Sequence, residues 1–446
     1  MRTTRSETAW ALVAAAALVA CGSQGTGATT PGGATGQAAG QSASSSGQGA
    51  SSATGAGSSG DSTGDATSGL ASDGGTGGEM DDGTGDASPH DASASRDSAA
   101  SGGSDAANCT IAPGSTVGVF TDPVTVTPIV PPNPPGIAFM DTDGKPVDAH
   151  GGGIIRVCDT FYLHGEYFLS TTTDNDFNGF SMYSSKDLAT WKNEGIILPQ
   201  QASGQLGPKR KGERPHIIKC PATGEFVLYA HSADETYQAD KEVVYATSST
   251  INRPYKFQGS LLSGTGAIAA HSDMSALTDG SSAYVVTESG WVYTLATDCH
   301  SWVSAKQYSA VNGSTGGSEA PTVFKAGSTF YWIGSDKTGW RANDNFYSTA
   351  PAMTGPWTYQ GYVAPQGAKT WMTQTTWVEP VVGSQGTVYV FWGDHWYGDQ
   401  DTTAPGQHND RTTFVFQPLV FKGMAISMPT YNVSWKLDVG AGTWSP

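Results

Sequence analysis

Four polar residues in similar local settings could do acid–base chemistry: Glu213 in GERPHI, Asp273 in HSDMSA, Glu319 in SEAPTV and Gln374 in MTQTTW. His150 in AHGGGI occupies a related position, and Glu166 in HGEYF could join them from the far side of its strand. Carboxylates gathered in one cavity disfavour one another's ionisation, which is how a carboxylic acid is kept protonated near neutral pH. Inverting glycosidic hydrolysis needs that arrangement: an acid on the leaving oxygen and a second group activating water on the opposite face. Trp340 in KTGW, Trp371 and Trp377 flanking Gln374, and Trp396 in GDHW could serve as sugar platforms, although each is also an ordinary packing residue. The HGGG run occurs in esterase oxyanion holes, but no G-x-S-x-G elbow occurs in residues 109–446. GDQD, with Asp399 and Asp401, is a weak calcium pattern, and a solvated loop is the favoured reading. No cofactor is expected, with a calcium or other ion in the central channel left open but not indicated.

The elements that must hold these residues recur. Five hairpin-like stretches, DTFYLHGEYF, TGEFVLYAHS, DGSSAYVVTES, AGSTFYWIGS and SQGTVYVFWGD, begin near Asp159, Thr223, Asp279, Ala326 and Ser384. The polar residue lies 11, 13, 11, 11 and 15 positions before Phe161, Phe226, Tyr284, Phe330 and Tyr389. Alternating aromatic and β-branched runs are strand chemistry, and no long segment keeps a helical period. Spacings of 65, 58, 46 and 59 residues between those aromatics fit four-stranded blades with loops. The expected fold is all-β, a five-bladed β-propeller; the competing architecture is a β-sandwich with coincidental repeats. In a propeller the first strand of each blade lines the central channel, so residues near its start gather at one mouth.

The rest of the chain frames this domain. Residues 1–20 carry Arg2 and Arg5, a short apolar run and then Leu18-Val19-Ala20-Cys21, a lipoprotein signal with Cys21 as the lipidated residue. The apolar run is too short to span a bilayer. Residues 21–108 are rich in Gly, Ser, Ala, Thr and Asp, lack Phe, Trp and Tyr, and contain one basic residue, Arg96. Such a segment cannot bury enough apolar surface to fold, and is expected to be a flexible tether. Its aspartates supply much of the net charge of −17, which argues against nucleic acid as a partner. Residues 109–446 form the expected catalytic domain. Its four cysteines, Cys109, Cys158, Cys220 and Cys299, permit two disulfides with three connectivities open, and their spacing lacks the close pairing of a zinc site.

The ordered set AHGGGI, GEY, ERP, SSKDLATW, SEAP, KTGW, TQTT and GDHW resembles glycoside hydrolase family 43, in particular its exo-β-1,3-galactanases, over residues 140–420. The resemblance implies Glu319 as general acid. It implies Gln374 in the place of the usual base, positioning or activating water, with an imidic tautomer as one proposed form. Glu213 and Glu166 would hold the terminal galactose and tune the acid. Tyr237, Asp273 and Thr338 would be further substrate contacts; Trp340, as a sugar platform, and His150, by its blade position, are added as substrate-binding candidates on the residues alone. The water-activating role is ranked Gln374, then Glu213, then Asp148 in VDAHGGG.

The function expected is an exo-acting, inverting hydrolase that releases galactose from β-1,3-galactan. It would be a monomer held to the bacterial envelope by its lipid alone. Two alternatives stay open: another family 43 activity, on arabinofuranosides or xylosides, and a non-catalytic polysaccharide-binding lipoprotein.

Overall fold

The computed structural model describes residues 117–121, 139–168, 175–313, 316–399 and 406–446, all within one compact unit, residues 97–446. The expected signal segment, Cys21, the 21–108 tether, Cys109 and Asp401 lie outside the described residues.

Five antiparallel sheets follow one another along the chain. Blade 1 comprises His150–Val157, Thr160–Glu166, Gly179–Ser185 and Lys192–Pro199. Blade 2 comprises Lys211–Lys219, Phe226–Ala233, Glu242–Ser248 and Lys256–Ser260. Blade 3 comprises Met274–Asp279, Ser282–Thr287, Trp291–Leu295 and Ser301–Gln307, with Leu262–Ser263 added in parallel at its outer edge. Blade 4 comprises Glu319–Ala326, Thr329–Ser335, Phe346–Ala350 and Thr358–Tyr362. Blade 5 has Gln374–Val382, Thr387–His395 and Thr413–Pro418. The fold is the expected five-bladed propeller.

Side-chain alternation shows why these stretches form blades. In Phe226–Ala233, Phe226, Leu228 and Ala230 pack against blade 1, whereas Val227 and Tyr229 pack against blade 3. In Thr329–Ser335, Phe330 and Trp332 face blade 3, and Tyr331 and Ile333 face blade 5. Successive residues of a strand point to opposite faces, and here both faces are covered, so the sequence is apolar almost continuously. Five apolar clusters result, one between each pair of neighbouring blades. Trp191 and Trp392 in the first and Trp332 in the fourth are fully buried; truncating such a residue to alanine costs about 3–5 kcal/mol.

Four strands per blade holds for blades 1 to 4, and blade 5 departs from it. Among the described residues its sheet has three strands. Pro418 is the last residue of the third, and the next N–H, that of Leu419, still donates to the Tyr389 carbonyl at 2.8 Å. The chain then forms a separate hairpin, Val420–Lys422 and Ala425–Ser427, with Leu419 and Ile426 packed between blades 4 and 5. A small sheet joins Val117–Thr121 to Ser434–Asp438 and Thr443–Ser445. It sets Trp435 and Leu437 into the cluster between blades 1 and 5, adding apolar packing where the ring closes. Cys220 and Cys299 form a disulfide between blades 2 and 3, and Cys158 is also disulfide-bonded.

Candidate active site

The polar residues do fall at the start of each inner strand. His150, Glu319 and Gln374 are the first residues of theirs, Glu213 is third in its strand, and Asp273 immediately precedes Met274. A β-bulge follows the polar residue in blades 1, 2, 4 and 5. In three of them the next residue is left-handed: Gly151 at φ +62°, Arg214 at +52° and Ala320 at +50°. A bulge of this kind re-aims the side chains beside it. Glycine adopts that conformation freely, and a Cβ on Gly151 would stand 2.1 Å from Glu166 Oε1. Gly152 packs as tightly against the His164 carbonyl, so the HGGG run is explained by close backbone approach.

Each left-handed residue turns its N–H toward a carboxylate of the preceding blade. Gly151 donates to Asp394 Oδ2 at 2.8 Å, Arg214 to Glu166 Oε1 at 3.0 Å and Ala320 to Asp273 Oδ2 at 2.9 Å. This belt stitches neighbouring blades at the mouth of the channel. It also fixes the carboxylates before any substrate arrives, and charge-assisted bonds of this type are the stronger ones.

A cavity of about 370 Å³ opens there, within the range of small-ligand pockets. Glu166, Glu213, Tyr237, Asp273, Glu319, Trp340 and Gln374 all line it, which brings seven of the predicted residues together. Thr338 contributes through its backbone, donating N–H to Glu319 Oε1 at 3.2 Å, while its hydroxyl donates to the Arg341 carbonyl. His150 is placed elsewhere. It is fully enclosed, with Nδ1 3.0 Å from Asp394 Oδ1, its ring stacked on Phe414, and Nε2 3.6 Å from Asp148. Its position before the bulge turns it toward blade 5, where it packs as a structural residue. Asp148 is likewise outside the cavity, accepting the Phe168 N–H at 3.1 Å; burial pushes its carboxyl up to about 7. Trp396 lines the cavity edge-on to Trp340, but Trp371 packs on Tyr431 and Trp377 lies beside His216, bonded to Glu379.

Arg214 organises the charges and was not singled out in the sequence. It is almost wholly buried; its Nε lies 3.5 Å from Asp273, its Nη1 donates to the Thr375 carbonyl and its Nη2 to Gln374 Oε1. The ERP motif contained the signal, yet only the bulge turns this arginine inward. Glu319 Oε1 accepts from Gln374 Nε2 at 3.0 Å and from Thr338; Oε2 makes no hydrogen bond among the described residues. Burial, reinforced by Asp273, raises Glu319 to about 8. Burial also pushes Glu213 upward, but the His231 contact at 3.3 Å, the Tyr237 hydroxyl and Arg214 outweigh it and hold Glu213 below the ordinary range. Glu166 goes the other way, raised by burial and by Glu213. The site therefore pairs a protonated acid with an ionised carboxylate near neutral pH, the pattern of acid–base division. Glu213, His231 and Asp273 place ligand atoms within 4.8 Å of one another, and the Arg214 guanidinium already supplies positive charge beside them.

Lys241, His231, Ser272, Glu288 and Lys337 also line the cavity and were not predicted. They come from second strands and loops, where no repeat marks them. Glu288 accepts from Ser272 and Lys337.

A family model for glycosyl hydrolases family 43 matches residues 156–319, a span that takes in Glu166, Glu213 and Asp273 and ends on Glu319. This part of the chain therefore resembles family 43 glycosyl hydrolases. Solved structures of exo-β-1,3-galactanases are similar to it. A Phanerochaete chrysosporium enzyme, solved as a Glu-to-Gln variant with β-1,3-galactotriose, is 27% identical over 74% of this chain and 70% of that one, with a TM-score of 0.61. The Clostridium thermocellum enzyme is 26% identical over 73% and 68%, also at 0.61. A putative exo-β-1,3-galactanase of Bifidobacterium bifidum is 28% identical over 66% and 94%, at 0.56. No curated protein matches the chain. The match agrees with the geometry: a carbohydrate-sized cavity holding one raised and one depressed carboxyl is what a glycoside hydrolase requires.

Proposed function

We propose that this family 43 protein is an exo-acting galactan 1,3-β-galactosidase working with inversion. The observation that carries the reading is Glu319, held protonated by burial at the cavity wall with Oε2 free to deliver its proton. Glu319 gives that proton to the glycosidic oxygen as the bond to the anomeric carbon breaks. Glu213, kept ionised by its contacts, takes a proton from the attacking water. This moves the water-activating role from Gln374 to the second-ranked residue. Arg214 offsets the negative charge throughout. Asp273, Glu166, Tyr237 and Trp340 contact the terminal sugar. The galactose preference is supported by the similar exo-β-1,3-galactanases, one of them holding galactotriose. The protein would act as a monomer, exported and lipid-anchored through Cys21, with polysaccharide as its partner and no metal or cofactor.

The test is a panel: β-1,3-galactotriose, xylobiose and an arabinofuranoside, with products followed by chromatography. Stepwise release of galactose from the triose alone is expected. Turnover confined to the xyloside or arabinofuranoside would contradict the sugar assignment.

A further inference from the structure

Gln374 is hydrogen-bonded on every side. Its Oε1 accepts from Arg214 Nη2 and from Trp396 Nε1, the latter at 2.8 Å. Guanidinium and indole N–H groups can only donate, so this atom is the carbonyl oxygen and the amide has a single orientation. Its Nε2 donates to Glu319 Oε1 and to Ser335 Oγ, both at 3.0 Å. A primary amide has two donors and two acceptor lone pairs, and all four are engaged. An imidic tautomer would place a hydroxyl hydrogen where two donor-only groups already point, leaving one of them without an acceptor. Nor does Gln374 face Glu319 across a gap. The two touch, whereas the acid and base of an inverting enzyme stand about 6.5–9.5 Å apart to admit water and sugar.

We infer that Gln374 is a positioning residue for the acid: it fixes Glu319 Oε1 to the Arg214–Trp396 wall, aims Oε2 at the leaving oxygen, and takes no proton from water. The inference rests on Glu319 being the acid. In the reaction the water oxygen bonds to the anomeric carbon as the glycosidic bond breaks. The proton of Glu319 Oε2 goes to the leaving oxygen, and Glu213 receives the proton from water. Gln374 gains and loses none.

Leaving-group dependence separates the two roles, because a dinitrophenolate departs without an acid whereas a sugar alkoxide does not. Gln374→Ala is expected to lower kcat on β-1,3-galactobiose by about 10- to 100-fold, yet to stay within about threefold of the parent on 2,4-dinitrophenyl β-galactoside. Sodium azide, a substitute for activated water, is expected to give no rescue. The Gln374 amide also stabilises the Glu319 carboxylate by donating to it, so in a ¹³C-glutamate NMR titration Gln374→Ala is expected to move Glu319 to higher pH, with other resonances reporting an intact fold. Equal losses on both substrates, azide rescue or an unmoved Glu319 titration would overturn the inference. If the parent cleaves neither galactoside, the galactosidase reading fails, and the titration still decides the role of Gln374.

Discussion

Asp273 of blade 3 accepts the backbone N–H of Ala320 at 2.9 Å, one residue beyond Glu319 of blade 4. One contact thus anchors the acid's strand and places a carboxylate beside the acid. Asp273 is the first neighbouring charge that raises Glu319, after burial itself. Replacing it with asparagine keeps an acceptor for Ala320 but removes the charge. Asp273→Asn is expected to lower the alkaline limb of the kcat profile from near pH 8, together with kcat, and a pH–rate series checks it.

The proposed reaction requires Glu319 protonated and Glu213 ionised. Activity is therefore expected to hold up to about pH 8 and fall above it, as Glu319 loses its proton. On the acid side it falls only below pH 4.5, because Glu213 is held under that ordinary value. Glu319→Gln is expected to lose about 10²–10⁴-fold in kcat on galactobiose, with galactotriose binding retained by calorimetry.

Arg214→Met tests the charge hub. Removing one partner of a buried ionic network costs about 3–5 kcal/mol, and here it removes the positive charge beside Asp273, Glu166, Asp394 and Glu319. A large drop in the urea midpoint is expected alongside loss of activity, in contrast to Glu319→Gln, which should unfold like the parent.

Glu379, buried deep on the inner strand of blade 5, is pushed up to about 8 by burial. The unfolded chain ionises this group near 4.5, while the folded chain keeps its proton up to about 8. Its contribution to stability is therefore fully present below pH 4.5 and is lost as pH rises from 4.5 to 8. Glu379→Gln is expected to raise Tm at pH 8.5 relative to the parent and to leave the comparison at pH 4.5 nearly unchanged. Calorimetry at the two pH values decides it.

Cys220 and Cys299 are separated by 79 residues and tie blade 2 to blade 3. Cys299→Ser is expected to cost about 2–5 kcal/mol, mostly by freeing the unfolded chain. A urea titration of the variant, with reducing agent applied to the parent, measures it.

The ring of blades was legible because both faces of each strand are covered, which writes runs such as FVLYAHS and TFYWIGS into the sequence. The site was legible where it repeats with the blades: Glu213, Asp273, Glu319 and Gln374 share a place in their strands. It was not legible where it depends on a single backbone dihedral. The left-handed bulge that turns Arg214 inward has no mark beyond the ERP triplet, and His150 repeats the pattern but points into the packing. Lys337 and Glu288 meet across the mouth from different blades, a pairing that no local pattern encodes. Among the described residues blade 5 has three strands, a departure from the four-stranded spacing that no local pattern marks.

The proposed function turns on a single displacement at the anomeric carbon, driven by Glu319 on one side and activated water on the other. Proton NMR recorded in the first minutes of β-1,3-galactotriose hydrolysis reads it directly. α-Galactose is expected first, with the β anomer growing in later by mutarotation. Initial release of β-galactose would contradict it.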